Sequence, residues 1–182
     1  VPAGCEYKYE VLKKSGSEYV PMTPKQGKEN QTATTISLNV SGWGYGDYKL
    51  VVQAVSAAGC SSEATDGERT FSLWEQPKVN VLTTTTPEIC EKTVNNVTFT
   101  YEMSSVAKQF KYELLKSGAP TSISADYTAV GTGGKGTFSF NPSSLDDGTY
   151  TLRVTAKSEH DCTGTKEATL TIRNMPSLKI GR

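Results

Sequence analysis

Gly46-Asp47-Tyr48-Lys49-Leu50-Val51-Val52-Gln53-Ala54, leading to Cys60, returns as Gly148-Thr149-Tyr150-Thr151-Leu152-Arg153-Val154-Thr155-Ala156, leading to Cys162, at a spacing of 102 residues. The chain therefore holds two copies of one unit. Upstream, Lys8-Tyr9-Glu10-Val11-Leu12-Lys13-Lys14-Ser15-Gly16 matches Lys111-Tyr112-Glu113-Leu114-Leu115-Lys116-Ser117-Gly118, with one extra lysine in the first copy. Between these blocks Ile36, Leu38 and Val40 line up with Phe138, Phe140 and Pro142. Extrapolated backward, Val1 meets about Ser104, so the first copy carries no counterpart of residues 83–103. Met175-Pro176-Ser177-Leu178-Lys179-Ile180 resembles Gln76-Pro77-Lys78-Val79-Asn80-Val81, the opening of the second copy. This layout predicts a module over 1–76 that lacks its first strands, a complete module over 77–174, and the start of another, or a linker, over 175–182.

A unit of about 100 residues is an ordinary domain size, so 182 residues hold one full domain and most of another. Lysine plus arginine and aspartate plus glutamate number 19 each, mixed along the chain, which gives no basic face for nucleic acid. Apolar runs are only a few residues long, far short of a membrane span, and the first residues carry no basic-then-apolar signal pattern. Four cysteines, two in each copy, predict pairing and an oxidising compartment, extracellular or at the cell surface.

The apolar period is two. Val97, Phe99, Tyr101 and Met103 alternate with Thr98, Thr100 and Glu102, and Phe110, Tyr112 and Leu114 alternate with Lys111 and Glu113. Such alternation marks strands with one packed and one wet face. Further strands follow at Val79 and Val81, at Phe138 and Phe140, at Tyr150 to Val154 and at Ala168 to Ile172, with an edge strand around Tyr127 and Val130. Turn residues separate them at Ser117 to Pro120, Gly131 to Gly134, Asn141 to Ser144 and Asp146 to Gly148. This density of strands and turns predicts an all-β, two-sheet antiparallel sandwich in each copy.

Asp146-Asp147-Gly148-Thr149-Tyr150 resembles the Asp-x-Gly-x-Tyr turn of immunoglobulin folds, in which the tyrosine hydroxyl ties a corner back to the backbone. The first copy keeps the glycine and tyrosine as Gly46 and Tyr48 without that aspartate. Two residues on, where antibody domains carry a core cysteine, stand Leu50 and Leu152. The fuller pattern of Cys90, an alternating strand, Gly148 to Ala156, Cys162 and a further strand resembles the immunoglobulin-like and PKD-like tandem repeats of large Bacteroidetes surface or secreted proteins. That resemblance implies spacer or adhesive modules with no catalytic residue and no cofactor. In such a sandwich Cys5 and Cys60 would lie at one end of neighbouring strands, which predicts a Cys5–Cys60 bond. Elimination leaves Cys90 to Cys162, although Cys90 should start at the opposite end.

Constellations for chemistry are sparse. The single histidine, His160, sits beside Asp161 and Cys162 in a loop, and reads as a solvated turn rather than a metal site. Asp146 and Asp147 lack a third ligand at calcium spacing. Gly131 to Gly136 lacks the Gly-Lys-Ser/Thr ending of a phosphate loop. Asn30, Asn39 and Asn96 begin Asn-x-Ser/Thr triplets that a bacterial source would make chance. Trp43 and Tyr45, set between glycines, are candidate contacts for a sugar or a partner surface, with Trp43 alternatively closing the end of the sandwich. Three functions follow: a non-enzymatic surface or secreted array, a polymerising fimbria-like subunit completed by a strand from another chain, and a carbohydrate-binding accessory region of a secreted glycan-degrading enzyme. The expected partners are neighbouring modules or chains and a host or cell-surface glycan or protein, not nucleic acid, with no membrane insertion in this segment.

Overall fold

The computed structural model describes residues 5–33, 35–63, 67–90 and 96–174. The chain divides into two compact units, one ending at Trp74 and the other beginning at Glu75. The first contains β1 (Cys5–Ser15), β2 (Glu18–Gln31), β3 (Gly46–Ser56) and β4 (Glu68–Leu73), hydrogen-bonded as one sheet in the order β2-β1-β3-β4. All of its pairings are antiparallel. β2 lies at the sheet edge, the position that tolerates proline, with Pro21 opposite Leu12 and Pro24 in the stretch where the register shifts.

The second unit contains β5 (Val79–Thr84), β6 (Glu88–Cys90), β7 (Val97–Met103), β8 (Ala107–Lys116), β9 (Ala119–Ala129), β10 (Lys135–Phe140), β11 (Gly148–Ser158) and β12 (Thr163–Arg173). One sheet runs β10-β7-β5 and the other β6-β12-β11-β8-β9. The alternating side chains of both meet in a single core that includes Val97, Phe99, Tyr101, Leu114, Leu152, Val154 and Leu170. Aromatic rings from the two sheets interlock there, with Tyr101 4.6 Å from Phe110 and Tyr112 4.4 Å from Phe138 between centroids. The unit is an immunoglobulin-like sandwich, and among the described residues the chain has no α-helix.

The two units share one register. Across β1 and β3, Tyr7, Tyr9, Val11 and Lys13 face Ala54, Val52, Leu50 and Tyr48. Across β8 and β11, Phe110, Tyr112, Leu114 and Lys116 face Ala156, Val154, Leu152 and Tyr150. β1, β2, β3 and β4 thus repeat β8, β9, β11 and β12.

Two features stand out. Among the described residues the first unit has a single sheet, with no paired strands there corresponding to β5, β7 and β10. Its inward face is nevertheless covered in part: Tyr7, Val11 and Tyr48 are buried, while Leu50, Val52 and Ala54 are half-buried. Their counterparts Leu152, Val154 and Ala156 are 0% exposed. The second is β6, which joins β12 in parallel, the one parallel pairing among the described residues.

Equal substitutions should therefore have unequal costs. Leu152→Ala removes a fully enclosed side chain and is expected to destabilise the second unit by about 3–5 kcal/mol, whereas Leu50→Ala, already half in water, should cost about 1 kcal/mol. Denaturant unfolding followed by hydrogen exchange in each unit would check this. Equal losses would mean that Leu50 is as enclosed as Leu152.

Candidate functional site

The corner preceding β3 and β11 is the most fully determined local site in each unit. Gly46 has φ +132° and Gly148 φ +139°, a region that side-chain-bearing residues rarely adopt, so glycine is required at both. The turn then carries the tyrosine inward. The Tyr150 hydroxyl donates to the Asp146 carbonyl at 2.8 Å, and the Tyr48 hydroxyl donates to the Gly44 carbonyl. Backbone accepts in both, so the aspartate side chain at 146 is not needed and glycine serves at 44. A lysine ammonium lies over each ring, Lys13 Nζ 5.6 Å from the centre of Tyr48 and Lys116 Nζ 5.2 Å from that of Tyr150. Sequence reasoning missed these lysines, although their equivalent places in the repeat were a usable signal.

The segment before the corner also repeats. Ser41 N–H donates to Asn39 Oδ1 at 3.0 Å, as Ser143 N–H does to Asn141 Oδ1 at 2.9 Å. Trp43 N–H then donates to the Val40 carbonyl at 3.1 Å, as Leu145 N–H does to that of Pro142 at 2.9 Å. Trp43 thus occupies the place of Leu145, a buried core residue. Its ring packs 5.3 Å from Tyr48 and 6.4 Å from Phe71, itself stacked on Tyr48 at 5.5 Å. Tyr45 stands apart from this cluster and is 59% exposed. A cleft of about 720 Å³ opens beside Trp43 and Tyr48, lined also by Lys13, Val20, Met22 and Asn39.

At the strand end beyond the corner, Asp47 joins β1, β3 and β4. Ser72 Oγ donates to Asp47 Oδ1 at 2.7 Å, and Lys14 Nζ lies 3.4 Å from Oδ2. The hydrogen bond from Ser72, helped by Lys14, holds the carboxyl below its ordinary value of 3.8. A lowered folded pKa means that this contact supports the unit above that ordinary value and is lost as pH falls through the folded one. The group is exposed, so the effect is small.

The cysteine pairings require correction. Cys60 and Cys162 are thiols. Each sits in the same turn, its carbonyl accepting from Ser56 N–H or Ser158 N–H at 2.9 Å. Opposite those serines stand Cys5 in the first unit and Ala107 in the second, so only the first unit brings a second cysteine's backbone to that end. The side chain of Cys5 lies outside the described residues. Cys90 pairs across to Arg173, whereas Cys162 precedes Thr163 at the other end of β12. The 11 residues of that strand separate them by about 35 Å, several times the reach of a disulfide. In the same turn the Asp161 carboxylate is taken by Lys157 at 2.6 Å, which directs it to the strand beside it.

No known family profile matches this sequence, and no curated protein does. Among solved structures, a tetra-tandem repeat from the extending region of a large adhesion protein is similar over 94% of this chain and 42% of that one, at 15% identity and TM-score 0.43. A bacterial ice-binding adhesin of 1.5 MDa is similar over 93% of this chain and 54% of that one, at 14% identity and TM-score 0.37. SGBP-B from a mixed-linkage glucan utilization locus of Bacteroides ovatus is similar over 91% and 38%, at 16% identity and TM-score 0.27. This chain spans roughly half or less of each. Likeness at this level assigns no role, and the fold rests on the chain's own strands.

Two measurements test the local site. Tyr150→Phe deletes one hydrogen bond to an exposed turn carbonyl that water can then satisfy, so a loss of about 1 kcal/mol is expected in the second unit, with the fold retained. Loss of folding would show that the hydroxyl closes the whole corner. Alkylation of the native protein should modify exposed Cys60 faster than half-buried Cys162. Failure to modify Cys60 would contradict its thiol state.

Proposed function

We propose that this chain is part of a non-enzymatic array of immunoglobulin-like repeats in a surface or secreted protein, acting as a spacer or adhesion module, of the kind seen in large Bacteroidetes proteins. In this reading the repeats run 1–76 and 77–174, and 175–182 opens another or forms a linker. The observation that carries it is the residue-for-residue match of register and corner between the units, from Tyr7 to Ala54 and from Phe110 to Ala156. Selection for one chemistry at one site would not hold both copies to the same strand framework. Selection for a stackable unit would, because each repeat then supplies length and a similar surface. Extracellular placement belongs to the same proposal.

A second reading, contact with a glycan or protein partner, is favoured by the exposed ring of Tyr45, which follows Trp43 and Gly44 of the cleft wall in sequence. Trp43 contributes to it only by shaping the cleft wall, since its ring is engaged with Tyr48 and Phe71.

Fusing a further copy of residues 77–174 to this chain should lengthen the largest dimension in solution scattering by about 35 Å, one strand length per module. A compact particle whose largest dimension does not grow with repeat number would overturn the spacer reading.

A further inference from the structure

Residues 76–80 lead into the second unit and are fastened to it at every step. Gln76 Nε2 donates to the Thr163 carbonyl at 2.6 Å. Pro77 is fully buried, and its carbonyl oxygen lies only 1.9 Å from where a Cβ on Gly164 would stand. Lys78 N–H donates to Ser104 Oγ at 3.0 Å, and Ser104 N–H donates back to the Lys78 carbonyl at 2.9 Å. Lys166 Nζ then donates to the Asn80 carbonyl. The glycine at 164 is not demanded by its own backbone, which lies outside the left-handed region. The first unit makes the same point: the equivalent place in the same turn holds Ser62, whose Oγ accepts from Ala54 N–H at 3.0 Å. What requires glycine at 164 is the carbonyl of Pro77 lying against it.

We propose that these contacts form a proline clip that makes the entering chain a rigid part of the second unit, with Gly164 as its positioning residue. β4 ends at Leu73, laddered to Gly46, and the first tie of the clip is at Gln76. The stretch able to bend between repeats is therefore at most Trp74 and Glu75. A spacer needs this, because a long flexible linker lets successive units fold back on one another. In that use the inference rests on the spacer reading, whereas the clip itself rests on the geometry of the second unit alone. Met175-Pro176 repeats Gln76-Pro77 in sequence, so the same clip is expected at the start of a following unit, with glycine at the place of Gly164.

The test is nitrogen-15 relaxation and amide exchange on the full chain. Backbone order parameters at Gln76 and Lys78 should match those of β11, at about 0.8 or above. Gly164→Ala, whose Cβ displaces the Pro77 carbonyl, should lower them below about 0.6 and speed exchange of the Lys78 amide by about tenfold or more, with β11 amides unchanged. Gln76→Ala combined with Ser104→Ala removes two ties and leaves β12 untouched. It should speed Lys78 exchange by about threefold or more, and it decides the matter where Gly164→Ala does not fold. Three results would overturn the proposal. They are order parameters below about 0.6 at 76–78 in the unaltered chain, a folded Gly164→Ala protein in which 76–78 stay ordered, or exchange in both variants speeded across β11 as much as at Lys78. All are read at 76–78 and β11, so they fail separately from the growth of length with repeat number that tests the spacer reading.

Discussion

The constraint on which both units depend is that an apolar sheet face must be covered. β11 presents Tyr150, Leu152, Val154 and Ala156 on one side, and in the second unit β5, β7 and β10 seal that side. Each large side chain enclosed there contributes about 1.5–3 kcal/mol relative to exposure, which is large against the net stability of a small domain. β3 presents the same face through Tyr48, Leu50, Val52 and Ala54, and the covering sheet is absent among the described residues. The difference between the units is thus one of cover, not of framework.

The framework survives because it is specified locally. The positive φ of Gly46 and Gly148, the tyrosine hydroxyl on a backbone carbonyl, the asparagine turn and the lysine over the ring all lie within one edge of the β1–β3 or β8–β11 pair. None needs a contact with the second sheet. Acceptance by main chain rather than side chain explains why Gly44 and Asp146 are interchangeable there.

Much of this was legible in the sequence. Period-two alternation located β7, β8, β11 and β12, because each has one buried and one wet face. The repeat located β1 and β3, and the glycine-tyrosine pair located the corner. Edge strands were harder: β2 carries mostly polar residues with two prolines and shows little alternation, while the edge strand read around Tyr127 and Val130 marked only the end of β9. β6, of three residues, is too short to show a period. The cysteines misled for a geometric reason. Even spacing suggests pairs, but bond formation needs Cα atoms within about 7 Å, and strand direction put Cys90 and Cys162 at opposite ends of β12. Trp43 was ambiguous because glycines on both sides suit either an exposed ring or a plug, and only the hydrogen bond from its own amide to Val40 aligns it with Leu145.

That alignment also accounts for the gradient of burial along β3. At the corner end, the large indole of Trp43 fills the place of a leucine and lies against Tyr48 and Phe71, so Tyr48 is fully buried without a second sheet. Its reach is one ring. Leu50 and Val52, farther along the same face, lie beyond it and remain half in water. The exchange of Leu145 for Trp43 therefore encloses the part of the fold that sets the chain path.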